Sequence, residues 1–428
     1  MDFGDQGEQR VGVRYLPLSS YILLRRKVQL IEILRNMSAF PPPPISTMDW
    51  KNLDQFGLQE VNGHIESTYH KDTGRWTPLK FVSDPYLRIH GLAPGLNYGQ
   101  QAFEGLKAFR MPGDPGGISI FRPDRNAGRL QHSSGVLNMP AVPADMFVRA
   151  CQAAVALNAG YVPPHESGGA LYCRPLLFAS GPTFIPGVPN ECTFCVYVLP
   201  TLAGAQEGAQ AVKALILDDF DRAAPKGTGH AKAGGNYPGV LRWTGQAKTD
   251  GFGITLHLDS ARHEEVDEFS LCGFLGVKLS SPGPGSNDGD DEVTIVVPDS
   301  PSAIESLTSD SVQHIARSWG WRVEKRPVPY WELPEFSEVF GAGTGVGLIP
   351  VRSITRRGRT GRLLPPSPRL LTDSDDSETV VYIRDEQQGG GPLFEKLLAQ
   401  LRAIQFGRIQ DEFGWRLEVR AEDQELDG

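Results

Sequence analysis

One lysine in this 428-residue chain sits in a stretch around which the rest can be organised. The segment RAAPKGTGHAKAGGNY, Arg222–Tyr237, holds Lys232 two residues before a glycine pair. Gly234 and Gly235 leave room for another group to approach the backbone closely. A lysine in such a loop can condense with a carbonyl compound, provided its ammonium loses its proton easily. Lys226 lies in the same stretch but lacks the GGNY context. Downstream, VDEFSLCGFLGVK places Glu268 just after a strand-like run, 36 residues on (268 − 232). Asp267 is its neighbour, and neighbours on a strand point to opposite faces.

Read in order, the chain mixes strands with packed helices. KFVSDPYLRI reads as a strand and turn, GGISIFRP as a strand ending at a proline, and AFEGLKAFRM as a strand or short helix leading to a strand. DRNAGRLQHSSGVLNM has apolar residues at helical spacing, with Asp124 as N-cap candidate. ADMFVRACQAAVALNA is a second helix, and ALYCRPLLFAS and ECTFCVYVLP are β-rich. The expected class is α/β in the α+β sense, with two domains: a small α+β domain over 48–198, a small and polar linker over 199–210, and a large domain over 211–428. In the large domain AVKALILDDF, GFGITLHLD, EEVDEFSLCGFLGVKL and EVTIVVPD read as strands. NYPGVLRWTGQAKTDG reads as a helix, and SSPGPGSNDGDDE as an acidic hairpin tip. Thr308, Ser309 and Asp310 stand ahead of a helix start, a place that binds phosphate readily. A Pro- and Ser-rich stretch within 357–390 is expected to be a mobile insertion.

Residues 1–47 differ from the body. From Arg10 to Thr47 there are five arginines, one lysine and only Glu32 against them, followed by the spacer FPPPPIS. The readings are a disordered extension, a mitochondrial targeting segment, or an upstream start with Met37 or Met48 as the real one. The compartment is accordingly cytoplasmic, or mitochondrial if the basic stretch is a transit peptide. Net charge is −9 with a pI of about 5.6, which argues against nucleic acid and anionic membrane surfaces as partners. No apolar run approaches the ~18 residues of a membrane span. Five cysteines argue for a reducing compartment. Cys192 and Cys195 lie in an apolar strand-like run with no second pair, so no metal site is expected.

The ordered blocks resemble one family. AKAGGNY with DEF followed by a further Phe, YGQQAFEGLKAFR (Tyr98–Arg110), FRPDRNAGRLQHSSGVLNMP (Phe121–Pro140), LYCRPLLFASGP, EVFGAGTGVGLIPV and IQFGRIQDEFGW are similar to the blocks of the branched-chain amino acid aminotransferases. These are pyridoxal-phosphate enzymes of fold type IV, two-domain proteins with the cofactor at the domain interface. The resemblance covers about residues 48–360 and 390–416. It implies pyridoxal 5′-phosphate as cofactor, a homodimer with a shared active site, and transfer of an amino group from a branched-chain or similar hydrophobic amino acid to 2-oxoglutarate. A lyase of the same fold, and a decayed paralogue acting as a binding partner, are the alternatives.

The resemblance also implies roles. Lys232 is the Schiff-base lysine and proton carrier, and Glu268 the partner of the pyridine nitrogen. Tyr237 hydrogen-bonds the cofactor's 3′-oxygen. Arg129 holds the phosphate, with further contacts from Leu307, Thr308 and Thr344. Tyr98, Phe103, Tyr172 and Arg174 line the substrate side, some of them from the second subunit, and Thr344 with Gly345 receives the substrate carboxylate. Gly273 stands where the family usually has asparagine, and Leu271 where a smaller or hydroxylated residue is common. A looser floor beneath the cofactor is therefore expected.

Overall fold

The computed structural model describes residues 40–426, apart from 54–56, 114–115, 186, 203–209, 281–291, 359–368 and 374–376. The first sheet forms around β1 (His64–His70), β2 (Arg75–Trp76), β3 (Lys80–Val82), β4 (Gln101–Phe103), β5 (Leu106–Arg110), β6 (Ile118–Phe121), β7 (Ala170–Ala179) and β8 (Glu191–Thr201). β7 and β8 make a long antiparallel hairpin, from Ala170 opposite Thr201 to Ala179 opposite Cys192. Helix α1 (Pro123–Val136) and helix α2 (Ala144–Leu157) cover one face. The small residues Ala150, Cys151, Ala153 and Ala154 on α2 are fully buried and let it lie close against Phe194, Val196 and Ile65. Each large side chain sealed there contributes about 1.5–3 kcal/mol relative to exposure.

The second sheet carries β9 (Val212–Ile216), β10 (Ile254–Leu258), β11 (Val266–Phe269), β12 (Gly273–Ser280), β13 (Glu292–Pro298), β14 (Arg322–Arg326), β15 (Glu338–Gly343), β16 (Gly347–Arg356), β17 (Leu370–Asp373) and β18 (Ser377–Val381). Its main order is β11-β10-β9-β16-β15-β12-β13-β14. The apolar runs of these strands suit burial on both faces. One face meets α4 (Leu307–Ser318) and α5 (Pro392–Gln405), where Val312, Ile315, Phe340, Phe394, Leu397 and Leu401 form a core. Helix α3 (Pro238–Thr249) follows the lysine loop directly and precedes α4 in the chain. The other face holds Phe269, Phe274, Phe336 and Val339.

Several expectations change. The last strand, β19 (Arg416–Val419), pairs antiparallel with β6, so the chain end joins the first sheet and not the unit expected over 211–428. β8 runs on to Thr201, past the expected start of the linker, whose residues 203–209 lie outside the described set. Part of the expected mobile insertion is a regular hairpin, because β18 pairs with both β16 and β17. Its residues 359–368 and 374–376 lie outside the described residues, as do residues 1–39 and the acidic tip at 281–291. Arg122, not Asp124, precedes α1, and α4 starts at Leu307 with Ser306 as its cap. AFEGLKAFRM resolves into strands β4 and β5 rather than a helix. All five cysteines are buried and free, and burial pushes the Cys192 thiol up to about 12. Among the described residues no helix is long and apolar enough to cross a membrane, and no group of three or more His, Cys, Asp or Glu could hold a metal ion.

Gly276 in β12 shows how tightly the second sheet is packed. A Cβ there would sit 2.6 Å from the ring of Phe336, which is fully buried. Gly276→Ala should lower the urea unfolding midpoint by the equivalent of about 1–3 kcal/mol, the usual cost of overpacking. Gly135→Ala, in an open helical position with nothing within 4 Å, should be neutral or stabilising by up to about 1 kcal/mol.

Candidate active site

The lysine loop is held by its own chain. Both Nη atoms of Arg222 donate to the Gly229 carbonyl, at 3.1 and 2.9 Å. The Asn236 amide donates to the carbonyls of Thr228 and Ala231, at 3.0 and 3.1 Å. The Lys232 backbone N–H donates to Ser133 Oγ on α1 at 2.9 Å, and the Phe103 N–H donates to the Lys232 carbonyl at 3.1 Å. At Gly234 the backbone lies close to the Gln101 side chain, whose end stands 2.7 Å from where a Cβ would sit. Gly235 has open space instead, so no neighbour demands a glycine there.

Both sheets contribute to one cavity of about 310 Å³. Lys232 and Tyr237 come from the loop, Arg129 from α1, Tyr172 and Arg174 from β7, and Glu268 from β11. Leu307 and Thr308 come from the start of α4, and Gly343, Thr344, Gly345 and Val346 from the β15–β16 turn. Lys232 Nζ donates to the Tyr237 hydroxyl at 3.0 Å and lies 4.4 Å from the centre of the Phe103 ring. Burial, and then the charge of Arg129, push the Lys232 ammonium down to about 8. Burial, and then the charge of Glu268, push the Tyr237 phenol up to about 12. The lysine is therefore easily deprotonated while its tyrosine neighbour keeps its proton.

Glu268 is buried and stands opposite His257 in the β10–β11 register. Burial pushes its carboxyl up to about 7. The Arg222 guanidinium, paired directly with it, and the Ile304 N–H at 3.1 Å pull the other way. Asp267 points elsewhere and accepts from the Ser300 hydroxyl at 2.6 Å. Lys226 is exposed.

Arg129 is a structural as well as a lining residue. Its Nε and Nη2 meet the two oxygens of the fully buried Glu104, at 2.7 and 2.6 Å, and Nη1 donates to the Glu305 carbonyl at 2.7 Å. Asn126 also donates to Glu104, at 2.7 Å. At the start of α4, Ser306 Oγ accepts from the Ser309 N–H at 3.2 Å and donates to the Ala342 carbonyl at 2.7 Å. Lys107 Nζ donates to the Gly345 carbonyl at 2.9 Å and fixes the β15–β16 turn.

The structure thus gathers Lys232, Glu268, Tyr237, Arg129, Leu307, Thr308, Thr344, Gly345, Tyr172 and Arg174 around one space. Phe103 packs behind it, 5.1 Å from the Tyr237 ring and 4.9 Å from the Arg174 guanidinium. Tyr98 is not brought in. It is half exposed, and its hydroxyl donates to the Phe184 carbonyl at 2.9 Å. Sequence reasoning missed Glu104, Arg222, Ser306 and Lys107. Glu104 and Lys107 lay in a block already singled out, FEGLK, and Arg222 headed the lysine loop. Gly273 also takes on another meaning. A Cβ there would lie 2.9 Å from Ser306 Cβ, so the helix cap fills the space assigned above to a missing brace.

Comparison with known proteins follows the same lines. A family model described as amino-transferase class IV matches residues 101–354. Aminotransferase poxL of Penicillium oxalicum is 45% identical over 380 residues, spanning 89% of this chain and 95% of that protein. Branched-chain amino acid aminotransferase gloG of Glarea lozoyensis is 47% identical over 380 residues, spanning 88% and 97%. Among solved structures, the branched-chain amino acid aminotransferase of Escherichia coli superposes with a TM-score of 0.61 at 23% identity, over 80% of this chain and 97% of that one. The pyridoxal-phosphate form of the branched-chain amino acid aminotransferase of Thermobaculum terrenum gives 0.63 at 20% identity, over 85% and 100%. At these identities the structures speak for the fold, a mixed α/β two-sheet architecture of fold type IV.

Two outcomes test the geometry of the site. With the cavity free of carbonyl compounds, an amine-directed reagent should label Lys232 at a rate that climbs through pH of about 8. The sign follows because a lowered pKa brings the neutral, reactive amine to lower pH. Peptide mapping across pH reads this, and a Lys232 midpoint at the ordinary lysine value of about 10.4 would refute the desolvated amine. In the second test, Gly273→Asn should displace Ser306, uncap α4 and lower stability by about 1–2 kcal/mol. Adding Ser306→Gly should recover most of the loss, because glycine caps nearly as well. A double variant no more stable than Gly273→Asn alone would rule this packing out.

Proposed function

Because this chain belongs to the class IV aminotransferases, we propose that it uses pyridoxal phosphate to move the amino group of a branched-chain or similar hydrophobic amino acid to 2-oxoglutarate. The donor set fits that cofactor. An easily deprotonated lysine, a buried carboxylate, an arginine and the start of a helix all face one cavity, of a size that suits a small ligand. When bound, pyridoxal phosphate supplies an aldehyde carbon for amine condensation and a ring that stores an electron pair.

The chain's own residues do the rest. Lys232 Nζ would take and return the proton at the substrate Cα, a task for which an amine near 8 is well matched. Tyr237 orients that amine through its hydroxyl. Glu268, steadied as an anion by Arg222 and the Ile304 N–H, holds a proton on the ring nitrogen. Arg129, Thr308 and the N–H groups at the start of α4 receive the phosphate. The substrate carboxylate meets the Thr344–Gly345 turn, which Lys107 holds in place.

The observation that carries the reading is the convergence in one cavity of an easily deprotonated Lys232 and the buried, Arg222-paired carboxylate of Glu268. The apolar preference is supported by Leu271, which lines the cavity although it is 71% exposed, and by the relative named for branched-chain amino acids. A homodimer with a shared site belongs to the same reading, and Tyr98, half exposed outside its own chain's cavity, supports it.

A substrate panel tests the proposal. Leucine, isoleucine and valine with 2-oxoglutarate should give glutamate and the matching 2-oxo acids. Aspartate should be worse in kcat/KM by ~100-fold, as expected when a charged side chain enters an apolar pocket. Lys232→Ala serves as the blank. Turnover that needs no 2-oxo acid acceptor would sink transamination, and a preference for aspartate would sink the substrate class.

A further inference from the structure

Arg122 holds an unusual backbone position. Its φ and ψ are 51° and 47°, left-handed values that non-glycine residues seldom adopt. It stands immediately before Pro123, which disfavours the right-handed helical region for the preceding residue. The surroundings hold it there. Its N–H donates to the Trp415 carbonyl at 2.8 Å, and its guanidinium lies 4.8 Å from the centre of the Trp415 ring. Nη2 donates to Asp310 Oδ2 at 2.6 Å, and Nη1 to Ser311 Oγ at 2.6 Å. The side chain is buried, so these are charge-assisted bonds out of water.

The two elements so joined are those that flank the candidate phosphate site. Arg122 precedes α1, which carries Arg129, and it grips the first turns of α4, which begins with Leu307 and Thr308. Arg129, Leu307 and Thr308 all line the cavity, whereas Arg122 does not. Asp310 lies one turn into α4, where its carboxylate would repel a phosphate at the helix start. His314 also approaches Asp310, at 3.7 Å, but is half exposed. Arg122 is the buried countercharge.

We propose that Arg122 is a positioning residue for the cofactor phosphate, clamping Asp310 and Ser311 so that the start of α4 stays aligned with Arg129 and electrically balanced. The proposal rests on the reading that the phosphate sits between Arg129 and the start of α4.

The test compares two ligands that differ only in the phosphate. Holoenzyme is dialysed and cofactor loss is followed. The emptied protein is then titrated with pyridoxal phosphate and with pyridoxal. Arg122→Gln should raise the Kd for pyridoxal phosphate roughly tenfold or more and leave that for pyridoxal within about twofold, the scale of a lost charge-assisted bond. Arg122→Lys keeps the charge beside Asp310 and should recover more than half of the loss on a logarithmic scale. If Arg122→Gln does not fold, Arg122→Lys carries the test, with a few-fold loss expected for pyridoxal phosphate alone. Equal weakening of both ligands, or of neither, would overturn the proposal, as would a lysine variant no better than glutamine. Wild-type protein that binds pyridoxal phosphate no tighter than pyridoxal would refute the phosphate reading itself, before any variant is considered.

Discussion

One guanidinium ties the lysine loop to the strand that carries the buried carboxylate. Arg222 donates to the Gly229 carbonyl inside the loop and pairs with Glu268 on β11. Burying either charge alone would cost several kcal/mol, so each is tolerable only because of the other. The same economy governs Glu104 and Arg129 at the opposite layer, where a fully buried carboxylate meets a fork of two N–H groups. Between these two pairs lies Lys232. Its amine is deprived of water and faces Arg129, and it therefore gives up its proton near neutral pH.

The arrangement explains why the site needs both sheets. β7 and α1 bring Tyr172, Arg174 and Arg129, while β11, α4 and the β15–β16 turn bring Glu268, Thr308 and Thr344. Neither layer alone holds a full set of donors. Contacts across the junction are polar and directional: Lys232 N–H to Ser133, Lys107 to Gly345, and Arg129 to the Glu305 carbonyl. Such bonds fix orientation better than apolar packing does, and that suits groups which must hold a reacting centre in place.

Much of this could be read from residue order. Apolar residues at helical spacing placed α1 and α2, and β-rich runs placed β7 and β8, because those elements pack against a core. Lys232 and Glu268 were legible because their neighbours limit what they can do. Other features depended on distance in space. Ser306 caps α4, but the cluster of Thr308, Ser309 and Asp310 after it reads equally well as a cap. Gly273 looked like a missing side chain, although Ser306, 33 residues on (306 − 273), occupies its place. The hairpin of β17 and β18 was hidden because its flanking residues are rich in Pro and Ser, and its order comes from pairing with β16. Tyr98 shows the reverse case, a residue inside a matched block that its own chain leaves at the surface.

β19 closes the first sheet against β6, with Ile118 opposite Val419. Those partners are 301 residues apart (419 − 118) in the chain. During synthesis at ~5–20 residues per second, β6 waits about 15–60 s for its neighbour. Until then it is an open edge, with unpaired N–H and C=O groups and an apolar face able to recruit the wrong strand. The first-made half of the protein is therefore the last to be completed, and its safe passage depends on whatever shields that edge while the second sheet is still emerging from the ribosome.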